Sequence, residues 1–229
     1  MTFLELTNRV KYTLGLEDTS ANDEVALAKA YINEGIVDIL VRTRPYSRVI
    51  QLTLTKDVAV HDMANTILAL VDLQAGIGRS PFLERYSRED MTRMQGAGTP
   101  GFAYEEPLLW VSPVPSEDVT FQAYGIFRPT PMTLDAHDPS VPTFGGLAPE
   151  FHPAIVNYAL WKGGEYLQHE QSGGGERWRS LYEGPDGDQG DIARIKRILA
   201  KRVTPQGARR RDLTRNLGEL SPSGSYTGV

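Results

Sequence analysis

The sequence has no cysteine among its 229 residues. That excludes disulfides, thiolate zinc sites and cysteine nucleophiles, and the expected setting is a reducing or redox-indifferent compartment. Long apolar runs are missing too. The longest, residues 67–71, falls far short of the roughly 20 needed to span a bilayer. Met1-Thr2-Phe3-Leu4-Glu5 carries neither the basic stretch nor the apolar core of a signal peptide, so a soluble protein without a membrane partner is expected. Histidine is sparse: His61, His137, His152 and His169 are scattered, and none falls in a metal-ligating spacing such as HExxH. There is no GxSxG elbow and no phosphate loop ending in Gly-Lys-Ser/Thr. The expectation is a protein with no catalytic residues, no cofactor and no metal.

Two motifs come near to chemistry and fail on context. Gly96-Ala97-Gly98-Thr99-Pro100-Gly101 fits the dinucleotide pattern GxGxxG, but Pro100 stands where a helix should open and no βαβ unit surrounds it. A loop is the simpler reading. Asp186-Gly187-Asp188-Gln189-Gly190-Asp191 resembles the start of a calcium loop, yet its twelfth position is Arg197 where a bidentate Glu is needed. It reads as a helix break with acidic caps. For His152, near a helix start, packing or capping is the expected role.

What is present is a lopsided charge. The net charge is −5. Residues 191–229 hold nine basic side chains (Arg194, Lys196, Arg197, Lys201, Arg202, Arg209, Arg210, Arg211, Arg215) against Asp191, Asp212 and Glu219, a local net of +6 that leaves −11 for the other 190 residues. An acidic body with a basic tail points to a tail that docks on something, although a solvated tail has the same composition. Arg209, Arg210 and Arg211 could neutralise about three phosphates in a salt-dependent contact blind to sequence. With Leu213, Leu217 and Leu220 among them, the same residues equally suit threading onto a protein partner. No aromatic residue interleaves the arginine run, which argues against a stacking or groove-reading module.

The apolar periodicity organises the rest. Thr2 and Glu5 make a capping box; Phe3, Leu6, Val10 and Leu14 follow at helical spacing, and Gly15 can close the helix in a left-handed cap. A second helix is predicted over 23–42, with Val25, Ala28, Ile32, Ile36, Ile39 and Leu40 on one stripe and Pro45 as its stop. The period then becomes two. Strands are predicted at 50–54, 66–73, 108–111 and 119–126, with a weaker one at 82–86. Ten of the fifteen prolines lie between Pro100 and Pro153, which excludes long helices there. Helix returns at Pro149-Glu150-Phe151-His152-Pro153, with Phe151, Ile155, Tyr158, Ala159 and Tyr166 on one face. Gly163-Gly164 would admit a neighbouring backbone. Further helices are predicted around Trp178, Leu181 and Tyr182 and around Ile192, Ile195, Ile198 and Leu199. The predicted class is α+β: a helical bundle of N- and C-terminal helices, an inserted antiparallel β module and an extended C-terminal tail. The corresponding divisions are 1–45, 46–146, 147–202 and 203–229.

Three stretches, taken in order, resemble the head-to-tail connector (adaptor, head-completion) proteins of tailed bacteriophages. Ala30-Tyr31-Ile32-Asn33-Glu34-Gly35-Ile36 is similar to the segment that starts the family's long second helix. Leu108-Leu109-Trp110-Val111-Ser112-Pro113-Val114-Pro115, with a later strand closing on Arg128-Pro129-Thr130-Pro131, resembles its paired, proline-punctuated strands. Leu147-Ala148-Pro149-Glu150-Phe151-His152-Pro153-Ala154-Ile155-Val156 resembles the opening of its third helix. The resemblance covers about residues 2–200 and departs at the glycine-rich, acidic interruption 173–190. It implies a non-enzymatic virion protein at the head–tail interface, assembled in the host cytoplasm. That protein would be a homo-oligomeric, dodecameric ring below the portal protein, with double-stranded DNA passing through its lumen without sequence recognition. A downstream tail or tail-completion protein would be the other neighbour. In this setting Arg209, Arg210, Arg211, Leu213, Leu217 and Leu220 would bind the portal. Two alternatives stay open: a tail-completion or terminator protein, and a nucleic-acid-binding module using the basic tail.

Overall fold

The computed structural model describes residues 1–16, 22–45, 48–75, 83–94, 100–167, 175–185 and 189–202. Helices α1 (Phe3–Leu14) and α2 (Asn22–Thr43) come first. The strands are β1 (Arg48–Leu54), β2 (Val60–Asp62), β3 (Ile67–Ala75), β4 (Glu84–Arg85), β5 (Gly101–Glu105), β6 (Leu108–Ser112) and β7 (Val119–Phe127), with α3 (Arg88–Met94) between β4 and β5. Helices α4 (His152–Leu167), α5 (Glu176–Glu183) and α6 (Asp191–Arg202) end the described chain. The fold is α+β.

Local chemistry sets the helix ends. Thr2 accepts the Glu5 backbone N–H at 3.3 Å, and the Glu5 carboxylate accepts the Thr2 N–H at 2.9 Å, closing the capping box. Gly15 sits at φ 70°, and its N–H turns back to the Lys11 and Tyr12 carbonyls, the left-handed cap that only glycine adopts cheaply. Of the predicted stripes, Phe3, Leu6 and Val10 of α1 and Ala28, Ile32, Ile36, Ile39 and Leu40 of α2 are buried together with Leu147, Phe151, Ile155, Ala159, Tyr182, Ile192, Ile195 and Leu199, while Leu14 packs at the edge of this core and Val25 stays half-exposed outside it. Helices from the two ends of the sequence thus share one core.

The β region has two sheets. One has the order β1-β7-β3 and is antiparallel; the other has the order β2-β6-β5-β4, with β4 running parallel to β5. Leu52, Leu54, Leu70, Leu73, Phe121 and Ala123 of the first sheet meet Phe102, Leu109 and Val111 of the second. The far face of the second sheet is covered by α3, where Met91 packs with Ala103 and Trp110. Burial on both faces explains why 108–111 is continuously apolar and does not alternate. Leu68 and Ile126 reach into the helical core and join the two regions.

The structure departs from the sequence reading at several places. β2, β5 and α3 were not predicted, and the weak strand at 82–86 contracts to Glu84–Arg85. The strand predicted at 66–73 forms as β3 over Ile67–Ala75, with register shifts between Ile67 and Ala69 and between Leu70 and Asp72 and with Val71 47% exposed. A Cβ on Gly125 would strike the Ala69 carbonyl oxygen, so the shifted strand presses on a glycine. Tyr166, predicted on the buried face of α4, is 63% exposed. Gly163 makes room for the Leu14 side chain, where a neighbouring backbone was expected.

Candidate functional site

The residues singled out by sequence as a docking segment, Arg209, Arg210, Arg211, Leu213, Leu217 and Leu220, lie outside the described residues. The structure does describe the helix that leads to them. α6 buries Ile192, Ile195 and Leu199 and exposes Arg194, Lys196, Arg197 and Lys201. Gln189, Arg194, Arg197, Ile198 and Lys201 line a groove of about 310 Å³. Its first turn is held by Asn157, whose Nδ2 donates to Asp191 Oδ2 at 2.7 Å. That bond gives the last acid of the calcium-like run a structural use. Residues 186–188 of that run lie outside the described residues, as do Gly96, Ala97, Gly98 and Thr99 of the GxGxxG match. Gly101, which ends that match, opens β5, and a Cβ there would strike the Tyr86 ring. Among the described residues, no group of three His, Asp or Glu is placed to hold a metal ion.

A charged network fastens α5 to the bundle. The Tyr182 hydroxyl donates to Asp38 Oδ2 at 2.5 Å, and Arg42 Nε lies 2.9 Å from the same oxygen. Arg42 Nη1 reaches Glu183 Oε1 at 2.9 Å, and Arg179 Nε reaches Glu183 Oε2 at 3.1 Å. Burial alone would raise the Glu183 carboxyl, but bonds from Arg179 and Arg42 outweigh it and hold the group below the ordinary range. Tyr182 is fully buried, and desolvation with the Asp38 carboxylate pushes its phenol far up. These partners lie about 140 residues apart in sequence, and periodicity carries no trace of them.

Two of the resembling segments have structural explanations. Asn33 clamps the segment after β7: its Oδ1 accepts the Met132 N–H at 2.8 Å, and its Nδ2 donates to the Met132 carbonyl at 3.1 Å. Gly35 lets Tyr158 of α4 approach to 3.0 Å of where a Cβ would stand. In the Leu147-to-Phe151 stretch the two named ends and His152 are buried. His152 Nδ1 lies 2.9 Å from the Met1 amine, while Nε2 lies 3.2 Å from both the Leu147 carbonyl and Ser140 Oγ. Burial, then the nearby ammonium, lowers the His152 pKa, so the ring is held neutral. Asp138, Ser140 and His152 share a neighbourhood, but Asp138 approaches the same Nε2 as Ser140, at 4.0 Å, and His152 has no exposed surface. A catalytic triad needs the acid on the opposite ring nitrogen. The group packs and caps, as expected for His152.

Along α2, Ala30, Asn33, Glu34, Val37, Asp38 and Val41 line a groove of about 540 Å³, walled by Arg128 and Tyr158. No helix among the described residues is long and apolar enough to cross a membrane.

A search of curated proteins finds no match to the chain. A scan of protein families matches residues 1–212 to the SU10 adaptor protein family, a span that includes the six helices of the described residues and extends past the arginine run. With helices from both ends of the chain enclosing one core, a β region between them and nearly the whole length matched, the chain belongs to the SU10 adaptor protein family, a family of phage head-to-tail adaptors.

Proposed function

We propose that the protein is a structural head-to-tail connector that forms a ring below the portal protein and continues the DNA channel to a downstream tail or tail-completion protein. Family membership over residues 1–212 is the observation that carries this reading. Ring subunits meet through heterologous interfaces that close by rotation, so each needs two different outward surfaces. The α2 groove and the basic face of α6 are two such surfaces. In this reading 1–45 and 147–202 form the platform, 46–146 is the inserted module and 203–229 is the attachment device.

Arg209, Arg210, Arg211, Leu213, Leu217 and Leu220 would grip the portal, and the match extending to residue 212 supports treating the arginine run as part of the working protein. The acidic body would let double-stranded DNA slide by repulsion without sequence recognition. No catalytic step, cofactor or metal enters this role, and assembly would take place in the host cytoplasm. Electron microscopy of the purified chain mixed with its portal tests the reading. A ring stacked on the portal is expected, and portal particles without added density would refute it.

A further inference from the structure

We infer that, before assembly on a portal, two copies of this chain pair edge to edge through β1, joining their β1-β7-β3 sheets into one about a two-fold axis. The inference goes beyond the connector reading. An isologous contact has no place in a cyclic ring, so the pair must part when the ring forms.

A strand edge carries unpaired N–H and C=O groups, and soluble proteins blunt it by shortness, bulges, proline, charge or cover. Three of the edges here are blunted. β2 and β4 have three and two residues. β3 carries two register shifts, and its Ile67, Leu70 and Leu73 carbonyls accept from Tyr104 Oη at 3.2 Å, Arg85 Nη1 at 3.5 Å and the Leu83 N–H at 2.8 Å. β1 has none of these protections. Arg48 to Leu54 face Gly125 to Val119 one for one, without a shift. Among the described residues, no hydrogen bond reaches the β1 backbone from the side away from β7. β1 contains no proline, and its one charge, on Arg48, is spent on the Pro142 and Gly145 carbonyls of its own chain. Val49 is 52% exposed, and Ile50 is only half-buried at the rim of the β core.

The occupant follows from the same survey. Among the described residues β1 is the open edge longer than three residues, so it is the strand that a second copy can offer. Antiparallel pairing about a two-fold axis at Gln51 keeps the buried faces of both sheets on one side. It sets Ile50 opposite Leu52, Val49 opposite Thr53 and Arg48 opposite Leu54 of the other copy. Apolar side chains then meet on the inner face and branched ones on the outer face, and no like charges oppose one another. The pairing covers Val49 and Ile50 and answers the free backbone groups of both edges. Seven residue pairs make a small interface, so the association is reversible and follows concentration.

The cysteine-free sequence makes the test direct. In the full chain without portal, Gln51→Cys sets two thiols opposite each other at a Cα separation of about 4.5–5.5 Å, within disulfide reach. Mild oxidation is expected to convert most of this variant into a covalent dimer. Thr120→Cys, on β7, holds its two thiols three strand spacings apart, roughly 14 Å, and should stay monomeric. Val49→Cys and Thr53→Cys should cross-link when the two variants are mixed and far less when each is alone, which checks the register. Gln51→Lys, at an exposed position, sets two ammonium groups against each other. It should abolish the rise of sedimentation coefficient with concentration while circular dichroism stays unchanged. Absent cross-linking of Gln51→Cys, equal cross-linking of Thr120→Cys, or sedimentation untouched by Gln51→Lys overturns the proposal. Gln51→Lys should still stack on the portal. If that variant alone loses stacking, the edge belongs to the ring or the portal contact, and the proposal is overturned as well. Failure of the unsubstituted chain to stack refutes the connector reading instead, so the two failures are separate results.

Discussion

The helical and β regions are held together by different means. The helical core gathers α1, α2, α4, α5 and α6 into one cluster, and polar bonds between distant residues lock it. Asn33 ties to Met132, Asp38 to Tyr182, Arg42 to Glu183, and the Met1 amine to His152. The β region divides its apolar residues between two smaller clusters, and its strands fit one another by register shifts and by a glycine at a crowded point. A platform cross-linked this way can present fixed surfaces along α2 and α6. The β region, built from short strands with both faces of one sheet covered, tolerates irregular connections.

Four perturbations probe the difference. Phe151 is 1% exposed at the junction of α4 with the shared core, and Phe151→Ala is expected to cost about 3–5 kcal/mol, read as a lowered urea midpoint. A cost under about 1 kcal/mol would break the picture of one tightly packed helical cluster. Gly125→Ala puts a methyl against the Ala69 carbonyl, and a loss of about 1–3 kcal/mol is expected from the forced backbone shift. Faster amide exchange should be confined to 67–75 and 119–127; spread into α2 and α4 would mean the regions are not distinct. Asn33→Ala leaves both backbone groups of Met132 without their side-chain partner and should cost about 1–2 kcal/mol in thermal unfolding. Asn33→Asp, which retains the acceptor, should recover part of it.

The fourth perturbation is acidification. Because the pKa of His152 is lowered by folding, the unfolded chain binds its proton first, and stability falls as pH drops below the unfolded value of 6.5. Glu183, also held low, adds a further loss that begins below its ordinary 4.5 and is complete once pH has fallen through its depressed value. Stability measured across pH 5–7 should slope downward toward acid, and His152→Gln should flatten that slope.

The helices were largely legible in the sequence and the β region only in part, for a physical reason. A capping box, a left-handed glycine and a stripe such as Ile32, Ile36 and Ile39 are local, so α1 and α2 could be placed nearly to the residue. β2 and β5 owe their existence to pairing with β6, and nothing in Val60-His61-Asp62 or Gly101-Phe102-Ala103 announces that partner. Tyr166 fits the helical period yet lies at the end of α4, where no described residue covers it. The arginine run and the family could be identified from residues alone. The α2 groove could not, because its walls come from Arg128 and Tyr158, distant in sequence and brought together by folding.

The central claim is that a helical platform offers a basic C-terminal segment to the portal. The direct measurement compares portal binding by the full chain and by a chain truncated after Arg202, with circular dichroism to show that both fold. The expected result is a stacked ring with the full chain and no detectable complex with the truncated one. Equal portal binding by the truncated chain would contradict it.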